Sequence, residues 1–318
     1  MRPHVGADLR RRLAPVVAAI VGPTATGKSA LALALARRHP DVELVSVDSM
    51  QVYRGMDIGT AKPTPAERAE VRHHLLDLVE PHEPFSLPQF LAAAADALDD
   101  IAARERRAVL VGGTGLYLRG LLDGLQPPGT FPDVRAALEA EPDTAALHAR
   151  LAALDPVAAA RMEPTNRRRV VRALEVTLGS GRPFSSFGPG LEAYAPSPVP
   201  QVGLALSRPV LAERVAARYR AQLEAGFLDE VRALAARPEG LSATAAQALG
   251  YKELLEHVRG ACSLDEAVAL AVARTRRFAV RQERWFRRDP RIRWLDASDP
   301  ENLVAAVERC VQAWVPCS

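Results

Sequence analysis

Residues Gly22-Pro23-Thr24-Ala25-Thr26-Gly27-Lys28-Ser29 form a complete G-x-x-x-x-G-K-[ST] phosphate-binding loop. Such a loop turns a row of backbone N–H groups and the positive end of a helix dipole onto an anion, and Lys28 adds a point charge. The chemistry is the holding of a pyrophosphate-type group beside a divalent cation; the loop alone leaves open whether that group belongs to a nucleotide. A second chemical group is Asp48, at the end of the apolar run Val42-Glu43-Leu44-Val45-Ser46-Val47. Ligands bind at that end of an open parallel sheet. The third feature is a pair of basic clusters: Arg167-Arg168-Arg169 with Arg172, and the span Arg274 to Arg293. In the second, Arg274, Arg277, Arg281, Arg284 and Arg288 fall on one helical face, while Phe278 and Trp285 make their own stripe. Solvated arginines over a core-packing stripe would give that pattern. Two clusters near a phosphate-binding rim favour a nucleic-acid backbone. Trp285 could stack on a base, but packing in the core is the simpler reading.

The elements needed to position these groups are legible. Val16-Val17-Ala18-Ala19-Ile20-Val21 reads as a buried parallel strand before the phosphate loop, and Ala30 to Ala36 as a helix after it. Val42 to Asp48 reads as a second strand and Ala108-Val109-Leu110-Val111 as a third, ending in Gly112-Gly113-Thr114-Gly115. A helix is expected over 87–103, its apolar face at Leu87, Phe90, Leu91, Ala94, Leu98 and Ile101. Gln126-Pro127-Pro128-Gly129 breaks the chain. Short helices follow from Arg135 to Leu178, and a Gly/Pro/Ser-rich stretch runs to Pro200. Val202 to Leu206 resumes a strand, and Trp294-Leu295 reads as a last short one. The expected fold is therefore α/β: a P-loop parallel sheet flanked by helices, with an all-helical insertion domain. Its parts are a first core segment at 1–124, the insertion at 125–199, and a mostly helical second core segment with a basic face at 200–318.

Composition excludes few classes. Hydrophobic content of 48% and charged content of 25% are ordinary for a soluble globular chain of 318 residues. A net charge of +3 is too small to establish a polyanionic partner. Cys262, Cys310 and Cys317 have neither metal-ligand nor disulfide-framework spacing, which fits a reducing cytoplasm. Arg10-Arg11-Arg12 and the apolar run after it resemble an export signal, yet the run is short and leads into the phosphate loop. No stretch reaches the roughly 20 apolar residues of a membrane span. His73-His74 lacks a third ligand and reads as structural, and Tyr117 reads as packing the helix onto the sheet.

The ordered set of motifs resembles the bacterial tRNA dimethylallyltransferases. It comprises the loop Gly22–Ser29, Ser46-Val47-Asp48-Ser49-Met50-Gln51-Val52-Tyr53, Asp57-Ile58-Gly59-Thr60-Ala61-Lys62-Pro63 and Gly112-Gly113-Thr114-Gly115-Leu116-Tyr117. Arg168-Arg169-Val170-Val171-Arg172-Ala173-Leu174-Glu175-Val176, Gly250-Tyr251-Lys252-Glu253-Leu254, and Thr275 to Gln282 with Trp285-Phe286-Arg287-Arg288 complete it. The resemblance covers about 16–295 and implies transfer of a dimethylallyl group from dimethylallyl diphosphate to N6 of the adenosine 3′ of the anticodon. It implies that Gly22, Pro23, Thr24, Ala25, Thr26, Gly27, Lys28 and Ser29 hold the diphosphate, Ser29 being a Mg²⁺ ligand. Catalytic roles are implied for Asp48 as general base and for Thr26, Lys28 and Arg232, the last reaching the diphosphate. For Asp48 a bland alternative is capping of the strand-end turn. Implied contacts to the tRNA anticodon stem-loop are Asp48, Ser49, Met50, Gln51, Thr114, Arg135, Arg168, Arg169, Arg172, Gly250, Tyr251, Lys252, Arg281, Gln282, Trp285 and Arg287. Val280 stands where the family pattern has lysine and Arg284 where it has threonine, which bears on fine RNA contacts. The absence of a zinc-finger extension fits the bacterial type, and a cytoplasmic monomer without membrane contact is expected.

Three other readings share parts of this set. A P-loop small-molecule kinase has no use for two arginine clusters around a helical insertion. An adenylate isopentenyltransferase would accept AMP and not need Arg277, Arg281 and Arg288. A non-catalytic RNA-binding protein would not need Asp48 opposite a complete phosphate loop.

Overall fold

The computed structural model describes residues 11–310 except 126, 188–190 and 192. Two compact units divide the chain: one runs to Gly124 and resumes at Pro196, and the other spans Leu125–Ala195. The first opens with β1 (Val16–Val21), α1 (Lys28–Arg38), β2 (Val42–Val47), α2 (Pro65–Glu70), β3 (His73–His74), α3 (Leu87–Ala103), β4 (Arg107–Gly112) and α4 (Gly115–Asp123). The second unit holds α5 (Pro132–Glu139), α6 (Thr144–Leu154), α7 (Pro156–Ala160) and α8 (Arg167–Ser180). The first then resumes with β5 (Gln201–Ala205), α9 (Arg208–Glu224), α10 (Phe227–Ala235), α11 (Tyr251–Val258), α12 (Leu264–Phe286), β6 (Ile292–Asp296) and α13 (Pro300–Cys310).

The six strands form one all-parallel sheet in the order β3-β2-β4-β1-β5-β6. Every residue of β1 and β2 is buried. Alternate side chains enter different cores: Ala19, Val21, Val45, Val47 and Leu110 join Phe90, Leu98 and Tyr251, whereas Ile20, Leu44 and Val109 join Leu31, Leu35 and Val307. Burial on both faces explains why β1 reads as an unbroken apolar run. The order β2-β4-β1 sets three strand ends side by side, so the phosphate loop, Asp48 and Gly112-Gly113-Thr114-Gly115 share one rim.

Sequence periodicity did not reveal β3, whose two residues pair with Leu44 and Val45. Both histidines there are hydrogen-bonded: His74 Nε2 lies 2.6 Å from Glu43 Oε2, and His73 Nδ1 2.7 Å from the Val71 carbonyl. Tyr117 stacks on Phe90, ring centroids 4.3 Å apart. Among the described residues no helix is long and apolar enough to cross a membrane.

The helical unit has its own core of Leu138, Leu147, Leu151, Val170, Val171 and Leu174. At its centre the carboxylate of Glu175, its side chain 1% exposed, accepts hydrogen bonds from the Phe131 N–H (2.9 Å) and Arg172 Nη1 (2.8 Å). Arg135 lies 3.4 Å from the same carboxylate and also pairs with Glu139. Arg172 and Arg135 thus neutralise a buried charge, which qualifies the RNA contact expected of each. Arg167 donates to the carbonyls of Glu139 and Pro142. Arg168 and Arg169 are exposed.

Candidate active site

A cavity of about 520 Å³ opens at the strand rim, walled by Thr24, Lys28, Asp48, Gly113, Arg218 and Arg281 among others. The loop below it is held by its own atoms. Gly22 has φ +137°, and a Cβ there would meet the Leu204 carbonyl oxygen at 2.6 Å, so both conformation and space require glycine. Thr26, 1% exposed, donates its hydroxyl to the Pro23 carbonyl at 2.9 Å, and Lys28 Nζ donates to the same oxygen at 2.5 Å. Thr26, expected to act in catalysis, is therefore a buried staple outside the cavity wall. Thr24 is the threonine facing the cavity, and Ser29 and Gly27 line it as well.

The largest correction concerns an arginine. Arg232, expected at the diphosphate, lies in the last turn of α10 with its side chain 57% exposed, paired with Asp229 and off the cavity wall. Arg218 of α9, rather than Arg232, lines the cavity. Its Nη1 donates to Thr24 Oγ1 at 2.9 Å, and its Nη2 lies 3.4 Å from the Gly59 carbonyl oxygen. Desolvation lowers the guanidinium's pKa, and the opposing pull comes from Tyr219 and Asp48 rather than from a hydrogen-bonded carboxylate. Lys28 is desolvated too, and burial pulls its pKa down to about 8 against the attraction of Asp48, with Arg218 repulsion adding to the fall. Two under-compensated cations beside a phosphate loop attract a polyanion.

Asp48 caps the turn after β2 with one carboxylate oxygen and leaves the other without a hydrogen-bond partner among the described residues. Its Oδ1 accepts from the N–H groups of Met50 (2.8 Å) and Gln51 (3.3 Å), fixing the turn after β2. Its Oδ2 accepts no hydrogen bond among the described residues. Thr114 Oγ1 accepts from the Ser49 N–H at 3.1 Å and lies 3.4 Å from Ser49 Oγ, joining the ends of β2 and β4. The Gln51 amide is occupied: Oε1 accepts from Ser46 Oγ at 2.8 Å, and Nε2 lies 3.2 Å from the carbonyls of Thr60 and Ala61. The hydroxyl of Ser29, an exposed residue, makes no hydrogen bond among the described residues; it and Asp48 Oδ2 are hard oxygen donors. They fit a divalent cation that keeps several waters and completes its shell with phosphate oxygens. No group of three or more potential His, Cys, Asp or Glu ligands exists among the described residues.

The segment Asp57–Pro63 forms another wall, clamped from outside. Glu230 of α10 accepts from the N–H groups of Asp57, Ile58 and Gly59 at 2.9, 2.8 and 3.3 Å. Tyr251 donates its hydroxyl to Glu230 at 2.5 Å, and burial, followed by the charge of Glu230, pushes the phenol pKa far upward. Lys62, its side chain 1% exposed, bridges Asp57 and Asp77 at 2.6 and 2.5 Å. A Cβ on Gly59 would lie 2.2 Å from the Phe227 ring and 2.4 Å from that of Tyr251, so this wall packs against α10 and α11.

Several residues expected on RNA have partners within the protein. Tyr251 is 1% exposed, and Gly250 is buried as the cap of α11. Gln282 is 8% exposed and bonded to Thr24 and Gly113. Trp285 packs against the hydrophobic core beside Gly115, where an added Cβ would come within 2.1 Å of the indole. Lys252 donates to Gln247 at 3.0 Å, and Arg287 pairs with Glu283 and sits 4.5 Å from the Trp294 ring centre. Helix α12 ends at Phe286, so Arg288 does not continue its arginine face. Arg274 points inward to the fully buried Glu253 side chain at 2.6 Å. Arg277, Arg281 and Arg284 remain exposed.

The family described as IPP transferase matches residues 51–289, and the isopentenyl transferase family matches 15–81. The tRNA dimethylallyltransferase of Streptomyces coelicolor is 48% identical over 309 residues, 94% of this chain and 98% of that protein. That of Kocuria rhizophila is 51% identical over 305 residues, 94% and 96% of the two chains. Among solved structures, the tRNA isopentenylpyrophosphate transferase of Bacillus halodurans aligns with TM-score 0.67 and 37% identity, over 94% of this chain and 95% of that one. A eukaryotic dimethylallyltransferase described as acting on tRNA aligns with TM-score 0.75 and 26% identity, over 93% of this chain and 78% of that one. The chain belongs to the IPP transferase family.

Proposed function

We propose that this protein transfers a dimethylallyl group from dimethylallyl diphosphate to N6 of the adenosine 3′-adjacent to the anticodon, position 37, of tRNA. One observation carries the reading: a carboxylate oxygen without a hydrogen bond, Asp48 Oδ2, shares a cavity wall with a phosphate loop, Lys28 and Arg218. Names of the similar proteins supply the acceptor and donor classes. The Thr24–Ser29 loop, Lys28 and Arg218 hold the diphosphate, where charge grows as the C1–O bond breaks. Ser29 and the diphosphate oxygens would hold Mg²⁺, which neutralises part of that charge. As C1 bonds to N6, Asp48 Oδ2 takes the amine proton and diphosphate leaves. The adenine must leave the anticodon stack to reach the cavity. The test is incubation with radiolabelled dimethylallyl diphosphate, Mg²⁺ and unmodified tRNA, AMP or no acceptor. Label on tRNA alone supports the reading, label on AMP supports an adenylate isopentenyltransferase, and phosphoryl transfer from ATP supports a kinase.

The depressed Lys28 pKa sets a pH dependence. Below about 8 the ammonium is charged and attracts the diphosphate; above it the free enzyme loses that charge. KM for dimethylallyl diphosphate should therefore rise as pH increases through about 8, while the Kd for tRNA changes little. Lys28→Ala should raise KM throughout and remove the inflection. An unchanged inflection in the variant assigns it to another group.

The exposed arginines of α12 should act by charge. Arg281→Ala/Arg284→Ala is expected to weaken cognate and non-cognate tRNA alike, because phosphate contacts position without specifying bases. It should also flatten the slope of log affinity against log salt by roughly 1–2. A salt titration with wild-type slope and affinity would leave this face merely solvated.

A further inference from the structure

We infer that Gln282 is a positioning residue for the donor diphosphate and not a reader of RNA; the inference rests on the function proposed above. Its amide joins two backbone points far away in sequence. Oε1 accepts from the Thr24 N–H at 2.9 Å, and Nε2 donates to the Gly113 carbonyl at 2.8 Å. One side chain of α12 thus ties the second residue after Gly22 to the rim beyond β4. Thr24 is the residue whose hydroxyl meets Arg218 Nη1 at 2.9 Å, so fixing its N–H also fixes the Thr24–Arg218 pair at the cavity wall.

The chemistry demands glutamine. The bridge needs an acceptor and a donor about one amide apart, and asparagine is one methylene short. Glutamate offers two acceptors, setting a carboxylate against the Gly113 carbonyl and beside the incoming anion. An apolar side chain leaves the Thr24 N–H and the Gly113 C=O without these partners in a site that is 8% exposed at Gln282. Gly113 is the complement: an added Cβ would stand 2.4 Å from Gln282 Nε2. Helix α12 has anchors of its own, including the Thr275 hydroxyl 2.9 Å from the Tyr219 hydroxyl, the Arg274–Glu253 pair and buried Phe286. The helix should therefore stay docked when the latch is removed.

The experiment compares Gln282→Met, Gly113→Ala and their combination with wild type. It measures KM for dimethylallyl diphosphate, Kd for inorganic diphosphate with Mg²⁺, and Kd for an anticodon stem-loop RNA. Each single variant should weaken both donor-side constants roughly 10-fold, as loss of a buried hydrogen bond does, with the stem-loop Kd unchanged. The double variant should be no weaker than the worse single one, because both substitutions break the same bridge. Wild-type donor-side constants in all variants would overturn the inference, as would additive effects or a loss confined to stem-loop binding. If Gln282→Met does not fold, Gly113→Ala carries the test alone, since it removes no polar atom. Failure of wild type to use the donor would instead overturn the proposed function.

Discussion

Asp48→Asn is expected to lower kcat by roughly 10²–10⁴-fold, the usual worth of a positioned general base, with little change in melting temperature or tRNA affinity. The geometry makes this substitution clean. The retained carbonyl oxygen can still accept from the Met50 and Gln51 N–H groups, so the turn after β2 keeps its cap. Only the second oxygen, the one without a hydrogen bond, is exchanged for a group that cannot take a proton. Asp48→Ala should lose turnover and also destabilise the fold by about 1 kcal/mol, the net worth of a typical hydrogen bond. Single-turnover kinetics at saturating substrates decide the matter. Near-normal turnover of Asp48→Asn would remove Asp48 from the chemistry and leave it as a cap.

Arg218→Met should cost roughly 10²–10³-fold in kcat/KM for dimethylallyl diphosphate, the range seen when one preorganised contact to developing charge is removed. Arg232→Met should stay within about twofold of wild type, because its partner is another surface group and exposed ion pairs are worth little. Measuring both variants side by side with the same tRNA preparation tests the assignment directly. A large loss at Arg232 with a small one at Arg218 would mean that α10, not α9, supplies the diphosphate arginine in the working enzyme.

The contrast between these two arginines also shows what the chain discloses about itself. The strands, the phosphate loop and the cavity-facing Asp48 are local patterns: an apolar run, fixed glycines, an acid at a strand end. Local patterns survive translation into one dimension. Arg218 does not stand in such a motif, and its meaning arises only when α9 lies over the loop. A signal was nonetheless available. Arg218 falls three after Val215 and four before Gln222, on the side of α9 that is buried, where an arginine needs a reason. Gln282 carries the same signature, between buried Ala279 and Phe286. The motif Asp57–Pro63 was legible as a motif, but its dependence on Glu230 and Tyr251 was not, since those partners come from α10 and α11. Strand β3 escaped because two residues cannot show a period. The arginines at 172 and 274 read as a charged surface because sequence pattern places charges without showing the buried glutamates that neutralise them.

The order in which the sheet is assembled carries a consequence for synthesis. Strand β1 is flanked by β4 and β5, pairing Ala19 with Leu110 on one side and with Gln201 on the other. The whole helical unit, with its own core, lies in the chain between those two neighbours. At roughly 5–20 residues per second on the ribosome, β1 waits many seconds with one edge open while an independent bundle is made. An unpaired apolar edge is a template for the wrong partner. The edge of β1 that pairs with β5 can therefore close only after the helical unit has been synthesised.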